Sequence, residues 1–429
     1  MAQGEAAEDT HGTAPEINAT FFFEWGKPVR VLVADSLEQS GLDGLAAAGC
    51  EVVYRPQLTE DALGAALRDT QADVLIVRGT PVGEGALSAD SLKLVVRAGA
   101  GYNTIDVAAA SQRGIYVSNC PGRNAIAVAE LAFALILALD RRLADNVVAL
   151  REGHWDKTGF SHARGLYGRT LGLIGAGRIA QEMIHRARAF GMPVIVWSRS
   201  LTPQRAGELG VGHCNSPLQV AAAADVVSVH LALAPDTRGT LTSAFFDAMR
   251  SGALFINTAR GELVQEEALL AALRSGRIRA GLDVYGGEPP TGRGEFKSAI
   301  AREPGLYGTH HIGASTDQAQ EAIAAETVRI VRAFHQTGRV LNVVNIAKWT
   351  PAKWLLVVRH RDRPGVLAQV LDAISAARIN VQEMDNTVFE GAEAAVARIH
   401  LEDPPSNEVL ERLRQANADF LEISLIKLP

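Results

Sequence analysis

The sequence predicts an α/β protein: two consecutive doubly wound parallel-sheet units followed by a smaller βαββαβ module. Three observations carry that expectation. Short runs rich in Val, Ile and Leu alternate with Ala/Leu-rich helical stretches from residue 29 to residue 285, the pattern of βαβ units. One run, 170–175, passes directly into the turn Gly175-Ala-Gly177 and a helical stretch. After Asn345 the order becomes strand, turn, helix, strand, hairpin, strand, a module of a different kind.

The first 27 residues open acidic and polar, without the basic start and apolar core of a secretory signal, and are expected to form a disordered extension. Strands are predicted at VRVLVAD (29–35), CEVVY (50–54), ADVLIVRG (72–79) and LKLVVRAGAG (92–101). The longest apolar stretch, Ala125 to Leu139, contains Glu130 and is shorter than the ~20 residues that span a bilayer; it reads as a buried helix. A second strand series follows at TLGLIGAG (170–177), PVIVWS (193–198), ADVVSVHLAL (224–233), ALFINTARG (253–261) and RAGLDVY (279–285). GGEPPTGRGE (286–295) is loop by composition. In the tail, a helix at Asn407–Gln415 and a strand at Phe420–Leu428 complete the module.

The 429 residues exceed one compact domain, and 47% hydrophobic with 21% charged residues supply full-sized cores. A net charge of -6 argues against a nucleic-acid or anionic-membrane partner, since both attract basic faces. Cys50, Cys120 and Cys214 lie far apart, so neither a disulfide framework nor a metal cluster is expected, and a reducing cytoplasm suits the chain.

The glycine turn carries the first chemistry. Gly175 and Gly177 permit a tight turn and close approach of a pyrophosphate, and the helix opening at Arg178 and Ile179 offers unpaired N–H groups. The acidic residue expected ~20 positions on, where it holds a ribose hydroxyl, is replaced by Ser198 and Arg199. A hydroxyl beside a guanidinium accepts a 2′-phosphate, which leans towards NADP. A solvated loop arginine is the other reading, so NAD or NADP stays open.

Three further segments hold the residues of hydride chemistry: Asn257-Thr-Ala-Arg260-Gly261, Leu282-Asp283 through Glu288-Pro289, and His310-His311-Ile-Gly313. With the glycine turn, this ordered set resembles the D-isomer-specific 2-hydroxyacid dehydrogenase family over residues 29–345. The resemblance implies that Arg260 orients the substrate carboxylate, that His311 is the acid/base and that Glu288 holds its imidazole. It places Asp283 near the nicotinamide ribose, and Leu231, Thr258, Ala259 and Gly313 along the cofactor. A strand-end carboxylate satisfying backbone N–H groups is the other reading of Asp283, and the two are compatible. The family has proline before its histidine; here His310 stands there, and register assigns catalysis to His311.

In the phosphoglycerate dehydrogenase branch of that family, residues at the positions of Arg78, Arg97, Gly101 and Asn124 receive the substrate and its phosphate. The resemblance therefore implies oxidation of 3-phospho-D-glycerate to 3-phosphohydroxypyruvate, the first step of serine biosynthesis. A glyoxylate or hydroxypyruvate reductase and a nucleotide-sensing corepressor are the alternatives. The tail resembles an ACT domain, which implies an amino-acid effector near His360, Asp362 and Asn380, with Asp362 where serine-regulated members have asparagine. The expected layout is a flavodoxin-like substrate domain (28–126 and 315–345) interrupted by a Rossmann-type cofactor domain (127–314), then an ACT-like domain (352–429), in a homodimer or homotetramer.

Overall fold

The computed structural model describes residues 27–289, 293–347 and 350–428. The extension expected over 1–27 lies almost wholly outside the described residues, as do residues 290–292 of the loop expected at 286–295. The chain divides after Asn345 into two compact units.

The larger unit holds two parallel sheets. The first has five strands in the order Glu51–Tyr54, Arg30–Val33, Val74–Val77, Leu94–Arg97, Tyr116–Asn119. Strand periodicity sorts its side chains between two cores. Leu32, Leu75, Val95 and Val117 pack with Leu63 and Leu67 on one face; Val31, Val33, Ile76 and Val96 pack on the other with Ile323, Ile330, Val331 and Phe334. The second group belongs to the helix Asp317–Thr337, started by the Thr316 side chain and ended by left-handed Gly338. The chain thus returns to the first sheet after building the second.

The second sheet has seven strands in the order Leu306–Gly308, Ile278–Leu282, Ala253–Asn257, Val226–Val229, Leu171–Ile174, Val194–Trp197, Gly212–His213, all parallel. The apolar stretch at 125 forms the helix Ala125–Arg141, whose Ala129, Ala132, Phe133, Ile136 and Leu139 enter this sheet's core. In both sheets the direction of strand addition reverses once. The reversals fall between Arg30–Val33 and Val74–Val77 and between Leu171–Ile174 and Val226–Val229, and ligands bind at such switch points beyond the carboxyl ends of the strands.

The smaller unit is an antiparallel sheet in the order Val381–Val388, Ala394–Leu401, Trp354–Arg361, Phe420–Lys427, with helices Val366–Ala376 and Asn407–Ala416. Leu356, Val358, Val370, Ile374, Ile399 and Leu410 form its core. No helix among the described residues is long and apolar enough to cross a membrane.

Candidate active site

Strand Ala253–Asn257 ends at the segment Asn257 to Gly261, and Asn257 explains why the segment holds its shape. Its buried amide donates to the Arg260 carbonyl at 2.8 Å while its carbonyl oxygen accepts from the Ala259 N–H at 3.0 Å, stapling the three-residue turn that presents Arg260. Gly261 is required by close approach: a Cβ there would stand 2.1 Å from the Tyr285 carbonyl carbon. The Arg260 guanidinium donates to the Ala259 carbonyl at 2.6 Å and lies against Gly101 from the first sheet, where a Cβ would meet its Nη2. Burial pushes the Arg260 pKa down, and Glu262 and Glu288 oppose that shift.

Asp283 follows strand Ile278–Leu282 directly and is 1% exposed. Its Oδ1 accepts from Thr309 Oγ1 at 2.6 Å and from the Ile312 N–H at 2.8 Å, its Oδ2 from the Gly313 N–H at 2.9 Å, and its carbonyl from the His311 N–H at 2.8 Å. Asp283 therefore carries the backbone role weighed as its alternative, holding the loop of the adjacent strand. In that loop His311 has a left-handed φ of +53°, and its Nδ1 meets Glu288 Oε2 at 2.6 Å. Glu288 Oε1 accepts from the Tyr285 N–H at 2.8 Å. Partial burial raises the Glu288 pKa, but the hydrogen bonds from His311 and Tyr285 and the charges of His311 and Arg260 outweigh it, leaving the carboxyl below its ordinary value. His311, rather than His310, holds this carboxylate.

At the switch point of the second sheet, Gly175 has φ +110° and a Cβ there would stand 2.5 Å from the His230 carbonyl, so the turn demands glycine. Gly177 differs: a Cβ on it would meet no protein atom within 4 Å. It caps the helix Arg178–Ala189 without any side-chain cap, leaving N–H groups free for an anion. Close by at the strand ends, His230 Nδ1 and Thr258 Oγ1 are buried without hydrogen-bond partners. An open glycine, an uncapped helix start and orphaned polar atoms fit a dinucleotide. Ile179 and Leu231 pack on the sheet cores beside this turn, Ala259 is buried, and Arg178 donates to the Pro121 carbonyl at 2.6 Å, tying the helix start to the crossing segment. Ser198 and Arg199 follow strand Val194–Trp197, where Arg199 is ion-paired with Asp236. The cation that leaned the sequence towards NADP has a carboxylate partner within the chain.

In the first sheet, Arg78 follows strand Val74–Val77 and Arg97 ends Leu94–Arg97. Arg97 Nε is buried without a hydrogen-bond partner. Burial, then the positive charges of Arg260 and Arg78, push its pKa down to about 10, so it stays charged at neutral pH. Three guanidinium groups from both sheets thus converge, and neither Arg78 nor Arg97 makes an ion pair among the described residues. Asn124 is the N-cap residue of Ala125–Arg141, with no side-chain cap bond.

In the smaller unit, His360 is buried, its Nδ1 2.7 Å from the Arg361 carbonyl and its Nε2 3.2 Å from Asn386 Oδ1. Both ring nitrogens are satisfied internally. Asp362 and Asn380 are exposed, and the helix Val366–Ala376 starts at left-handed Gly365 without a side-chain cap.

The family model of the D-isomer specific 2-hydroxyacid dehydrogenase NAD binding domain matches residues 133–313, and the ACT domain model matches 354–418. D-3-phosphoglycerate dehydrogenase of Mycobacterium tuberculosis is 37% identical over 372 residues, covering 85% of this chain and 68% of that protein. The chain belongs to the D-isomer-specific 2-hydroxyacid dehydrogenase family. D-3-phosphoglycerate dehydrogenase of Methanocaldococcus jannaschii is 38% identical over 351 residues, covering 80% of this chain. This chain spans 65% of that relative's length. Among solved structures, an NADPH-dependent glyoxylate/hydroxypyruvate reductase from Sinorhizobium meliloti is 29% identical, with a TM-score of 0.65 over 74% of this chain and 97% of its own.

For a 2-hydroxyacid dehydrogenase, the expected residues gather in two places: Arg260, Glu288 and His311 around one corner, the glycine turn beyond them. Sequence reasoning missed the residues that hold these groups. Asn257 staples the Arg260 turn, Asp236 pairs with Arg199, and Asp35 accepts the N–H groups of residues 78–80. Asn257 ends its strand and Asp35 stands two residues past its own, whereas Asp236 lies well beyond a strand end; the partners of Asp35 and Asp236 follow other strands.

Proposed function

We propose that the chain oxidises 3-phospho-D-glycerate to 3-phosphohydroxypyruvate with NAD, which would make it the enzyme that opens serine synthesis. The observation that carries this reading is the convergence of Arg78, Arg97 and Arg260, with Arg97 buried and its Nε unpartnered. One carboxylate needs one guanidinium; a cluster of three suits a substrate with a phosphate as well. The names of the relatives from Mycobacterium tuberculosis and Methanocaldococcus jannaschii support the same substrate.

Arg260 grips the substrate carboxylate and polarises the C2 oxygen. His311 takes the C2 hydroxyl proton as the carbonyl forms. Because Nδ1 is engaged by Glu288, Nε2 is the nitrogen left for that exchange, and the carboxylate fixes the ring orientation. The nicotinamide, when bound, accepts the hydride from C2. In the opposite direction the same groups return proton and hydride.

NAD is favoured because Asp236 neutralises Arg199 and would repel a 2′-phosphate. The exposed apolar side chains of helix Leu143–Arg151, namely Leu143, Val147, Val148 and Leu150, with Trp155 82% exposed, support a homodimer or homotetramer in which a second copy covers them. The uncapped start of Val366–Ala376 beside Asp362 supports an amino-acid effector.

Steady-state assay of phosphorylated and plain 2-hydroxy and 2-oxo acids with NAD and NADP tests the reading. The expected result is highest kcat/KM for 3-phosphoglycerate with NAD, and a loss on Arg78→Ala confined to phosphorylated acids. Preference for glyoxylate or hydroxypyruvate with NADPH would instead assign a reductase. Asp236→Asn, by freeing Arg199, is expected to raise kcat/KM for NADP about tenfold.

A further inference from the structure

We infer that Asp35 is a positioning residue for the anion end of the substrate cleft, its carboxylate shaping the 78–80 loop that carries Arg78. The identity of the anion rests on the substrate reading above; the geometry does not.

Strand Arg30–Val33 is followed by Ala34, whose N–H bonds to the Ile76 carbonyl at 2.9 Å, so Asp35 stands beside the end of Val74–Val77. One oxygen, Oδ2, accepts from the N–H groups of Arg78 at 2.5 Å, Gly79 at 2.9 Å and Thr80 at 3.0 Å, while Oδ1 accepts from Thr80 Oγ1 at 2.8 Å. Three consecutive amides directed at one oxygen curl the chain into a nest. The loop conformation, and with it the Cα of Arg78, is fixed by that one side chain. This nest occupies the switch point of the first sheet, where a ligand is expected.

Asp35 does not serve as a ligand for the anion itself, because a carboxylate repels it. Its effect passes through Arg78. The second sheet uses the same device: Asp283, just past its strand, gathers Thr309, Ile312 and Gly313 of the adjacent strand's loop and so sets His311. Each half of the cleft has one carboxylate that organises the loop bearing its functional side chain.

The test is a double-variant cycle of Asp35→Ala and Arg78→Ala, read as KM and kcat for 3-phospho-D-glycerate and for D-glycerate. Asp35→Ala is expected to raise KM for 3-phosphoglycerate about tenfold with kcat within about threefold of wild type. In the Arg78→Ala background the same change should move KM less than about twofold, since the residue it positions is gone. Thr80→Val, which removes the hydroxyl's bonds to Asp35 and to the Leu58 carbonyl but keeps the three N–H bonds, should raise KM in the same direction by a smaller factor and keeps the test open if Asp35→Ala does not fold. Additive effects in the cycle, or an equal fall in kcat on both acids with KM intact, would overturn the inference. If wild type uses D-glycerate as well as the phosphorylated acid, the substrate reading fails. The cycle is then read on the D-glycerate KM, where non-additivity upholds the role of Asp35 and additivity overturns it.

Discussion

His311 sits at φ +53°, a conformation that costs a non-glycine residue about 1 to 2 kcal/mol, and Asp283 supplies the bonds that hold it there. Asp283→Asn places an amide N–H against an amide N–H of the 309–313 loop, so kcat is expected to fall about 10- to 100-fold with the dinucleotide KM nearly unchanged. A raised dinucleotide KM at wild-type kcat would instead mean that Asp283 serves the cofactor, as the family resemblance implied. Glu288 gives a pH signature. Its folded pKa lies below the ordinary value of 4.5, so its pairing with His311 is complete above about 4.5 and is lost as pH falls through the lowered folded value. Glu288→Gln should therefore lower kcat/KM at neutral pH and flatten the acid limb of the profile below about pH 4.5; an unchanged acid limb would sink this role. The grouping of Arg260, Glu288 and His311 was legible through the family resemblance of their ordered motifs, whose residue types suit hydride chemistry. Asp35, Asp236 and the bonds of Asp283 were not, since each acts on a loop remote in sequence.

The turn after Leu171–Ile174 and the turn after Ala253–Asn257 both use glycine, for opposite reasons that substitution separates. Gly177 has φ -73° and ψ -171° and no neighbour for a Cβ, so Gly177→Ala should leave the melting temperature within a degree or so while raising the dinucleotide KM about tenfold or more. Gly261→Ala must displace the Tyr285 backbone and the loop leading to Glu288, so kcat should fall and the fold lose stability by about 2 kcal/mol. Thermal melts beside steady-state kinetics check both; a Gly177→Ala variant with wild-type dinucleotide KM would remove that turn from the binding site. The longer apolar strands were legible because they are buried on both faces and read as continuous Val/Ile/Leu runs. Tyr116–Asn119, Gly212–His213 and Leu306–Gly308 were not anticipated: all three sit at sheet edges, the last two have only two and three residues, and Tyr116–Asn119 has a single aliphatic residue, Val117, in place of a Val/Ile/Leu run. Helix Leu143–Arg151 buries no residue, so its apolar side chains did not sort into a core-facing stripe.

At the scale of the larger unit, one buried carboxylate ties the segment that leaves the first sheet to the helix that later returns to it and to the chain just past that helix. Glu326, 3% exposed, accepts from Arg123 at 2.5 Å on the outgoing segment and from Asn342 at 2.7 Å just past its own helix, with Arg329 on that helix at 2.5 Å. The alternation of strands and helices made the two sheets legible, but not this tie, because its members are separated by about 200 residues. The hydrogen bonds from Arg329, against the opposing effect of burial, and those from Asn342 and Arg123 lower the Glu326 pKa from 4.5 to about 2. Its stabilisation is therefore complete above about pH 4.5 and is lost as pH falls through about 2. Glu326→Gln should cost on the order of 2 kcal/mol at pH 7, a fall of a few degrees in the melting temperature of the larger unit. That difference should shrink as pH falls from 4.5 towards 2, where the wild-type side chain becomes neutral as well. A gap that stays constant down to pH 2 would mean that the amide fails by shape rather than by charge. No gap at pH 7 would mean that the returning helix is held by the apolar packing of Ile323, Ile330 and Phe334 alone.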